Sequence, residues 1–194
     1  MRTPISALCV VAAVLSSAGP ARAEWLLTPF AGVTAGGRTG YFDPDGAASR
    51  SKPAFGVAVT KAWGRFAVEG EVAGVPGFFT AGEGGLITSS SLLSVSGNAI
   101  ITQPLGGLTP YAVAGIGAIR VRMQDTADVF SVSEWQPVLN VGGGLLVPVT
   151  GRVSVRGDVR YRFSRRGDGV GSTIGFGTTY VDFWRVSAGL AFAF

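Results

Sequence analysis

Alternation between apolar and polar residues divides the chain into eight segments separated by glycine and proline. The clearest is 153–163 (VSVRGDVRYRF), in which valine, tyrosine and phenylalanine alternate with serine, arginine and aspartate. Successive side chains of a β-strand point to opposite faces, so a period of two predicts a strand with one apolar and one charged face. The predicted strands are residues 25–35, 54–62, 66–75, 92–102, 111–122, 135–147, 153–163 and 180–194.

The polar face of these strands distinguishes a membrane barrel from a soluble one. Each predicted strand reaches the length of about 9 to 11 residues that a tilted strand needs to cross a bilayer. Arginine and aspartate at alternate positions of 153–163 cannot form the buried face of a soluble sandwich. We therefore expect the apolar face to contact lipid and the polar face to line the lumen.

Connection lengths predict how the strands are joined. Short connections at 63–65, 103–110 and 148–152 alternate with long ones at 36–53, 76–91, 123–134 and 164–179. An even number of antiparallel strands can close without leaving an edge in lipid. The predicted fold is an all-β, eight-stranded antiparallel transmembrane β-barrel with short periplasmic turns and four longer extracellular loops.

The first 23 residues have the pattern of a secretory signal peptide. Arg2 precedes an apolar run that is too short to span a bilayer, and Ala21-Arg22-Ala23 matches a cleavage site. A retained anchor helix is the alternative, but Gly19-Pro20 interrupts the apolar run. We expect cleavage after Ala23, which leaves one barrel domain at residues 24–194. Export together with the predicted transmembrane strands places this domain in the cell outer membrane.

Composition agrees with an exported membrane protein. The chain is 47% hydrophobic and 14% charged, whereas soluble domains have about 25% charged residues. Two of its basic residues lie in the leader, so its basic pI does not indicate a nucleic-acid partner. Cys9, its single cysteine, also lies in the leader, which predicts neither a disulfide nor a lipid anchor.

Aromatic residues lie near both ends of the predicted strands, as interfacial belts do, although aromatics also favour strands in general. The periplasmic belt is predicted to contain Trp25, Trp63, Phe66, Phe192 and Phe194, and the outer belt Trp135, Tyr180, Phe183 and Trp184.

Charged residues of the third and seventh strands are predicted to meet inside the barrel, because these strands face each other across its axis. An eight-stranded lumen is just wide enough for side chains to fill. The cluster forms either a salt-bridged structural core, in which Glu71 and Arg156 interact, or the lining of a conducting path. Its predicted members are Glu69, Glu71, Arg156, Asp158 and Arg160.

The sequence contains few residues that could support catalysis. The chain has no histidine, and its two lysines, Lys52 and Lys61, fall in a loop and at a short turn. Asp43-Pro44-Asp45-Gly46 fits a tight turn better than a calcium loop, and Arg166-Gly167-Asp168 is a weak adhesion tripeptide. We expect no enzyme activity and no cofactor or metal.

The ending VSAGLAFAF, together with PYAVAGIGA at 110–118 and NVGGGLLVPV at 140–149, resembles the small eight-stranded outer-membrane β-barrels of the OmpA/OmpX type. This resemblance implies outer-membrane lipid and lipopolysaccharide as surroundings. It also implies a C-terminal signal for the outer-membrane assembly machinery, formed by Trp184, Leu190, Phe192 and Phe194.

Three functional hypotheses follow. The first is a non-enzymatic structural barrel with surface-exposed loops. The second is an adhesion or ligand-binding protein whose Gly-, Ser- and Thr-rich loops recognise an unidentified surface ligand. The third is a narrow channel or a lipid-modifying barrel.

Overall fold

The computed structural model is a closed antiparallel barrel in which each strand pairs with its neighbours in chain order. The structure describes residues 24–39, 50–78, 87–125, 131–166 and 179–194. The proposed signal peptide lies outside these residues. The strands are β1 (Glu24–Thr39), β2 (Lys52–Trp63), β3 (Phe66–Pro76), β4 (Ile87–Thr102), β5 (Thr109–Asp125), β6 (Ser131–Pro148), β7 (Val153–Arg166) and β8 (Thr179–Ala193).

Pairing of β1 with β8 closes the sheet. Their register runs from Leu26 opposite Ala193 to Thr39 opposite Val181. At the short-turn end, the Phe194 N–H donates to the Trp25 carbonyl at 3.0 Å, and the Trp25 N–H donates back at 3.3 Å. Closure gives the backbone groups of the first and last strands partners within the sheet, which lipid cannot supply.

The barrel wall carries apolar side chains on its outside and charged side chains on its inside, the reverse of a soluble protein. On β7, Val155 and Val159 are exposed on the outside, whereas Arg156, Asp158 and Arg160 are buried inside. Among the described residues, no helix is long and apolar enough to cross a membrane. The predicted fold class and the assignment of polar side chains to the lumen are confirmed.

The strands extend further toward the long loops than the alternation predicts. β5 and β6 continue as a paired hairpin through Arg122 opposite Ser133 and Gln124 opposite Ser131, and β4 begins at Ile87. The sequence pattern places residues 87–91, 123–125 and 131–134 in loops because their polarity no longer alternates. Backbone hydrogen bonding does not require that alternation, which is needed only where one face meets lipid.

Glycine allows the chain to reverse tightly between β2 and β3. Gly64 has φ of +60°, in the left-handed region that side chains with a Cβ rarely adopt. Two residues, Gly64 and Arg65, therefore suffice to join Trp63 to its partner Phe66.

The prediction that Phe183 belongs to the outer aromatic belt is wrong. Phe183 is buried in the lumen, where its ring centroid lies 5.3 Å from that of Phe78. Phe183 lies two residues before Arg185 and shares its inward register. The prediction relied on the aromatic residue type and did not take this register into account. The other eight predicted belt residues are exposed on the outer surface.

Sidedness can be tested with two single cysteines, since the only native cysteine lies in the proposed leader. We expect a membrane-impermeant maleimide applied to intact cells to label Ser51→Cys, at the long-loop end, and not Gly151→Cys, in a short turn. A Cβ at residue 151 would meet no other heavy atom within 4 Å, so the substitution is tolerated. Equal labelling of both sites in lysed cells is the control, and labelling of Gly151→Cys alone in intact cells would reverse the topology.

Candidate functional site

A network of charged side chains fills the middle of the lumen. Alternation along β3 points Glu69 and Glu71 inward, and alternation along β7 does the same for four residues from Arg156 to Arg162. Arg185 of β8 completes the network. We call this set the lumen network: Glu69, Glu71, Arg156, Asp158, Arg160, Arg162 and Arg185.

Glu69 binds two arginines from the opposite wall. Its Oε2 accepts from Arg156 Nη1 at 2.5 Å, and its Oε1 accepts from Arg160 Nη2 at 2.8 Å. Thr60 and Asn98, from the flanking strands, donate to the same carboxylate at 3.1 and 3.0 Å. Both oxygens of this enclosed carboxylate therefore have charged and neutral donors, as a buried charge requires.

Glu71 is shared by three arginines. Arg185 binds it through two parallel hydrogen bonds of 2.7 Å each, from Nη1 to Oε1 and from Nη2 to Oε2. Arg160 Nη1 lies 3.1 Å from Oε2, and Arg162 Nη2 donates to Oε1. The bidentate geometry fixes the position of Arg185, since a planar guanidinium matches a carboxylate in one orientation.

Asp158 links the two arginines that precede and follow it on β7. Arg160 Nε donates to its Oδ1 at 2.7 Å, and Arg156 Nη2 lies 3.3 Å from its Oδ2. The Tyr111 hydroxyl donates to Oδ2 at 2.6 Å and accepts from Arg156 Nε at 2.7 Å. Gly144 leaves room for that hydroxyl, which would collide with any Cβ at this position.

Apolar layers lie on both sides of the lumen network. Toward the long loops, nine buried residues form one cluster, which includes Phe78, Leu92, Ile119 and Phe183. Toward the short turns, a smaller cluster contains Ala67, Ile100, Tyr111 and Val113. Within the network, the described residues leave a cavity of about 10 Å³, room for about one water molecule. The described part of the lumen is thus filled by side chains.

The structure brings together all five residues predicted to form the lumen cluster. It pairs Arg156 with Glu69, not with Glu71 as expected, because Glu71 lies one inward position closer to the long loops. Arg162 and Arg185 belong to the network but are absent from the predicted set. Both occupy the inward register of their strands, so the period of two alone could have found them.

The comparisons with known proteins agree with this architecture. The family model described as "Outer membrane protein beta-barrel domain" matches residues 7–192. The chain belongs to this family. No curated protein sequence matches the chain significantly.

Solved structures with the same fold are small outer-membrane barrels of remote sequence. Neisserial surface protein A (NspA) is 13% identical with a TM-score of 0.67, over 91% of this chain and 100% of that chain. OprG of Pseudomonas aeruginosa is 17% identical, with a TM-score of 0.55, over 91% and 98%. Ail, the attachment invasion locus protein of Yersinia pestis, was solved with the heparin analogue sucrose octasulfate. It is 16% identical with a TM-score of 0.52, over 88% and 99%.

These likenesses confirm the resemblance to small outer-membrane barrels. The matched structures are outer-membrane proteins from bacteria, and at such low identity they show the shared fold alone.

The residues predicted to form a C-terminal signal share the outer face of β8 and of the residue that follows it. Trp184, Leu190, Phe192 and Phe194 are all exposed, and Phe194 is the most exposed of them. Their shared face follows from the period of two. Recognition by the assembly machinery stays a prediction.

No group of three or more His, Cys, Asp or Glu residues within the described ranges could hold a metal ion. The Asp43-Pro44-Asp45-Gly46 segment lies outside the described residues, as do Gly167 and Asp168 of the adhesion tripeptide.

Proposed function

We propose that the mature chain, residues 24–194 after cleavage of the signal peptide at Ala23, is a non-enzymatic structural barrel of the outer membrane. In this role it contributes to the membrane wall and presents four loops at the cell surface. The observation that carries the proposal is the filled lumen: seven charged side chains contact one another between two apolar layers. Such packing supports a closed barrel and not a pore.

Planar-bilayer recording tests the closed lumen. We expect the purified barrel to show no more conductance than bare lipid, because charged side chains and apolar clusters occupy its cross-section. Arg156→Ala serves as a comparison, since it removes a guanidinium from the network. Steady conductance of the unmodified protein, increased by Arg156→Ala without loss of folding, would replace the structural role with a narrow channel.

Recognition of a surface ligand is the second candidate, favoured by exposed arginines at the long-loop end. Arg50 and Arg122 are both exposed there, and Ail, which has the same fold, was solved with a sulfated sugar analogue. We therefore propose an anionic sugar as the ligand to test first. Cells that display the barrel are expected to bind heparin, and Arg50→Ala with Arg122→Ala to bind less. Arg152→Ala, in a short turn, is the matched control, and unchanged binding by the double variant would exclude this site.

A further inference from the structure

Two arginines of β5 lie on the outer surface at the long-loop end of the barrel wall. Arg122 is exposed and Arg120 is half-buried, whereas Ile119 and Val121, which alternate with them, are buried in the lumen. Successive residues of a strand face opposite sides of a sheet, so the two arginines share the lipid-facing side. We call Arg120 and Arg122 the outer arginine pair.

The outer arginine pair lies where the wall changes from apolar to polar. Arg120 pairs with Leu93 of β4 on one side and with Trp135 of β6 on the other, and both of these side chains are exposed on the outer surface. One row closer to the long loops, Arg122 pairs with Ser91 of β4. The apolar band that faces hydrocarbon therefore ends between these two rows.

Trp135 indicates how deep this transition lies in the membrane. Its side chain is exposed on the outer face, and tryptophan rings in membrane proteins prefer the level of the lipid headgroups. The Cζ atom of Arg120 lies 5.9 Å from the centroid of the Trp135 ring, a cation–π contact that holds the guanidinium beside the ring. The charge of Arg120 is thus at headgroup level in the outer leaflet.

The rows below the pair offer an apolar surface to acyl chains. Ala118 of β5 pairs with Val95 and Pro137, and in the next row Ile116 pairs with Leu139. The side chains of Val95, Ile116 and Leu139 are exposed to the outside. Two cations above an apolar wall complement a lipid with an anionic headgroup.

The spacing and charge of the pair favour a phosphate monoester as that headgroup. Residues two apart on a strand are separated by about 7 Å, a distance that long arginine side chains cover, so both guanidiniums reach one anion. A planar guanidinium binds two phosphate oxygens at once. A phosphate monoester carries up to about two negative charges, which two arginines match, whereas the phosphodiester of a phospholipid carries one.

We propose that the outer arginine pair binds lipid A, the phosphorylated and acylated disaccharide that anchors lipopolysaccharide in the outer leaflet. One phosphate monoester contacts Arg120 and Arg122, and acyl chains lie on the wall at Val95, Ile116 and Leu139. The inference rests on the proposed orientation of the barrel, with its long loops outside, which the cysteine-labelling experiment tests separately. It does not depend on whether the lumen is closed.

Native mass spectrometry of the purified, folded barrel tests the role of the phosphate. The protein is titrated with bisphosphorylated lipid A, with fully dephosphorylated lipid A of the same acyl chains, and with phosphatidylglycerol. We expect retention of one bisphosphorylated lipid A and at least about tenfold weaker binding of the other two lipids, the order expected for losing a charge-assisted hydrogen bond. Equal retention of the dephosphorylated lipid or of phosphatidylglycerol would overturn the proposal.

A matched cation at the opposite end of the barrel serves as the control for the site. Lys61 Nζ lies 5.0 and 5.2 Å from the ring centroids of Trp25 and Trp63, near the short turns. We expect Arg120→Ala with Arg122→Ala to lose the preference for phosphorylated lipid A and Lys61→Ala to keep it. Heat-modifiable gel migration shows that each variant is folded. An unchanged preference in the folded double variant, or equal loss in Lys61→Ala, would exclude the outer arginine pair.

Arg120→Ala alone separates lipid A from the anionic sugar proposed as a surface ligand, because only Arg122 is shared by the two sites. We expect Arg120→Ala to bind lipid A several-fold more weakly and to leave heparin binding by cells unchanged. Arg50→Ala is expected to do the reverse. An Arg120→Ala variant that binds less heparin and retains full affinity for lipid A would contradict the assignment.

Discussion

Replacing Glu71 with alanine is expected to destabilise the folded barrel by about 3 to 5 kcal/mol, the usual cost of breaking a buried ion pair. The change leaves Arg160, Arg162 and Arg185 enclosed together without the carboxylate that they share. Urea unfolding in detergent micelles, followed by heat-modifiable gel migration, measures the effect. Glu24→Ala removes an exposed carboxylate and is expected to change stability by no more than about 0.5 kcal/mol.

Double variants identify which pairs interact. Glu71→Ala combined with Arg185→Ala is expected to lose clearly less than the sum of the single changes, because the two side chains bind each other directly. Glu71→Ala with Arg156→Ala should be nearer to additive, since Arg156 binds Glu69. Strict additivity for Glu71 and Arg185, or an unchanged midpoint for Glu71→Ala, would contradict the network.

Reversing the polarity of the last strand is expected to have the largest effect on yield. Leu190→Asp with Phe192→Asp places two charges on the outer face of β8, where carboxylates meet lipid and the proposed assembly signal is lost. Removal of Phe194 is expected to act in the same direction with a smaller effect. The measurement is the amount of folded, heat-modifiable protein in outer-membrane fractions of cells that express each variant.

A matched aromatic separates the signal from ordinary lipid contact. Phe66 is exposed at the same end of the barrel, in β3. Phe66→Ala and Phe192→Ala remove the same side chain from the lipid-facing wall, but only Phe192 belongs to the proposed signal. We expect a greater loss of assembly for Phe192→Ala. Equal yields, together with normal insertion after removal of Phe194, would exclude the signal.

The alternation of apolar and polar residues along each strand determined much of this protein's fold. Each strand must place one face in lipid and the other in the lumen, so a period of two specified strand number, face and approximate position without tertiary information. The inward direction of Glu69, Glu71, Arg156, Asp158 and Arg160 follows from the same rule, and the rule applies equally to Arg162 and Arg185. It failed near the long loops, where strands continue past the membrane without alternating.

Tertiary structure decided which inward and outward groups meet. The sequence shows that Glu71 and Arg156 share the lumen, but the stagger between strands on opposite sides of a closed barrel sets their relative heights, and it pairs Arg156 with Glu69. The bulge between Ala35 and Arg38, which places Arg38 opposite Asp182, and the end of the β6–β7 ladder at Leu139 opposite Phe163 depend likewise on neighbouring strands. Alternation along one strand carries no information about its register against another, so these contacts emerge only when the barrel closes.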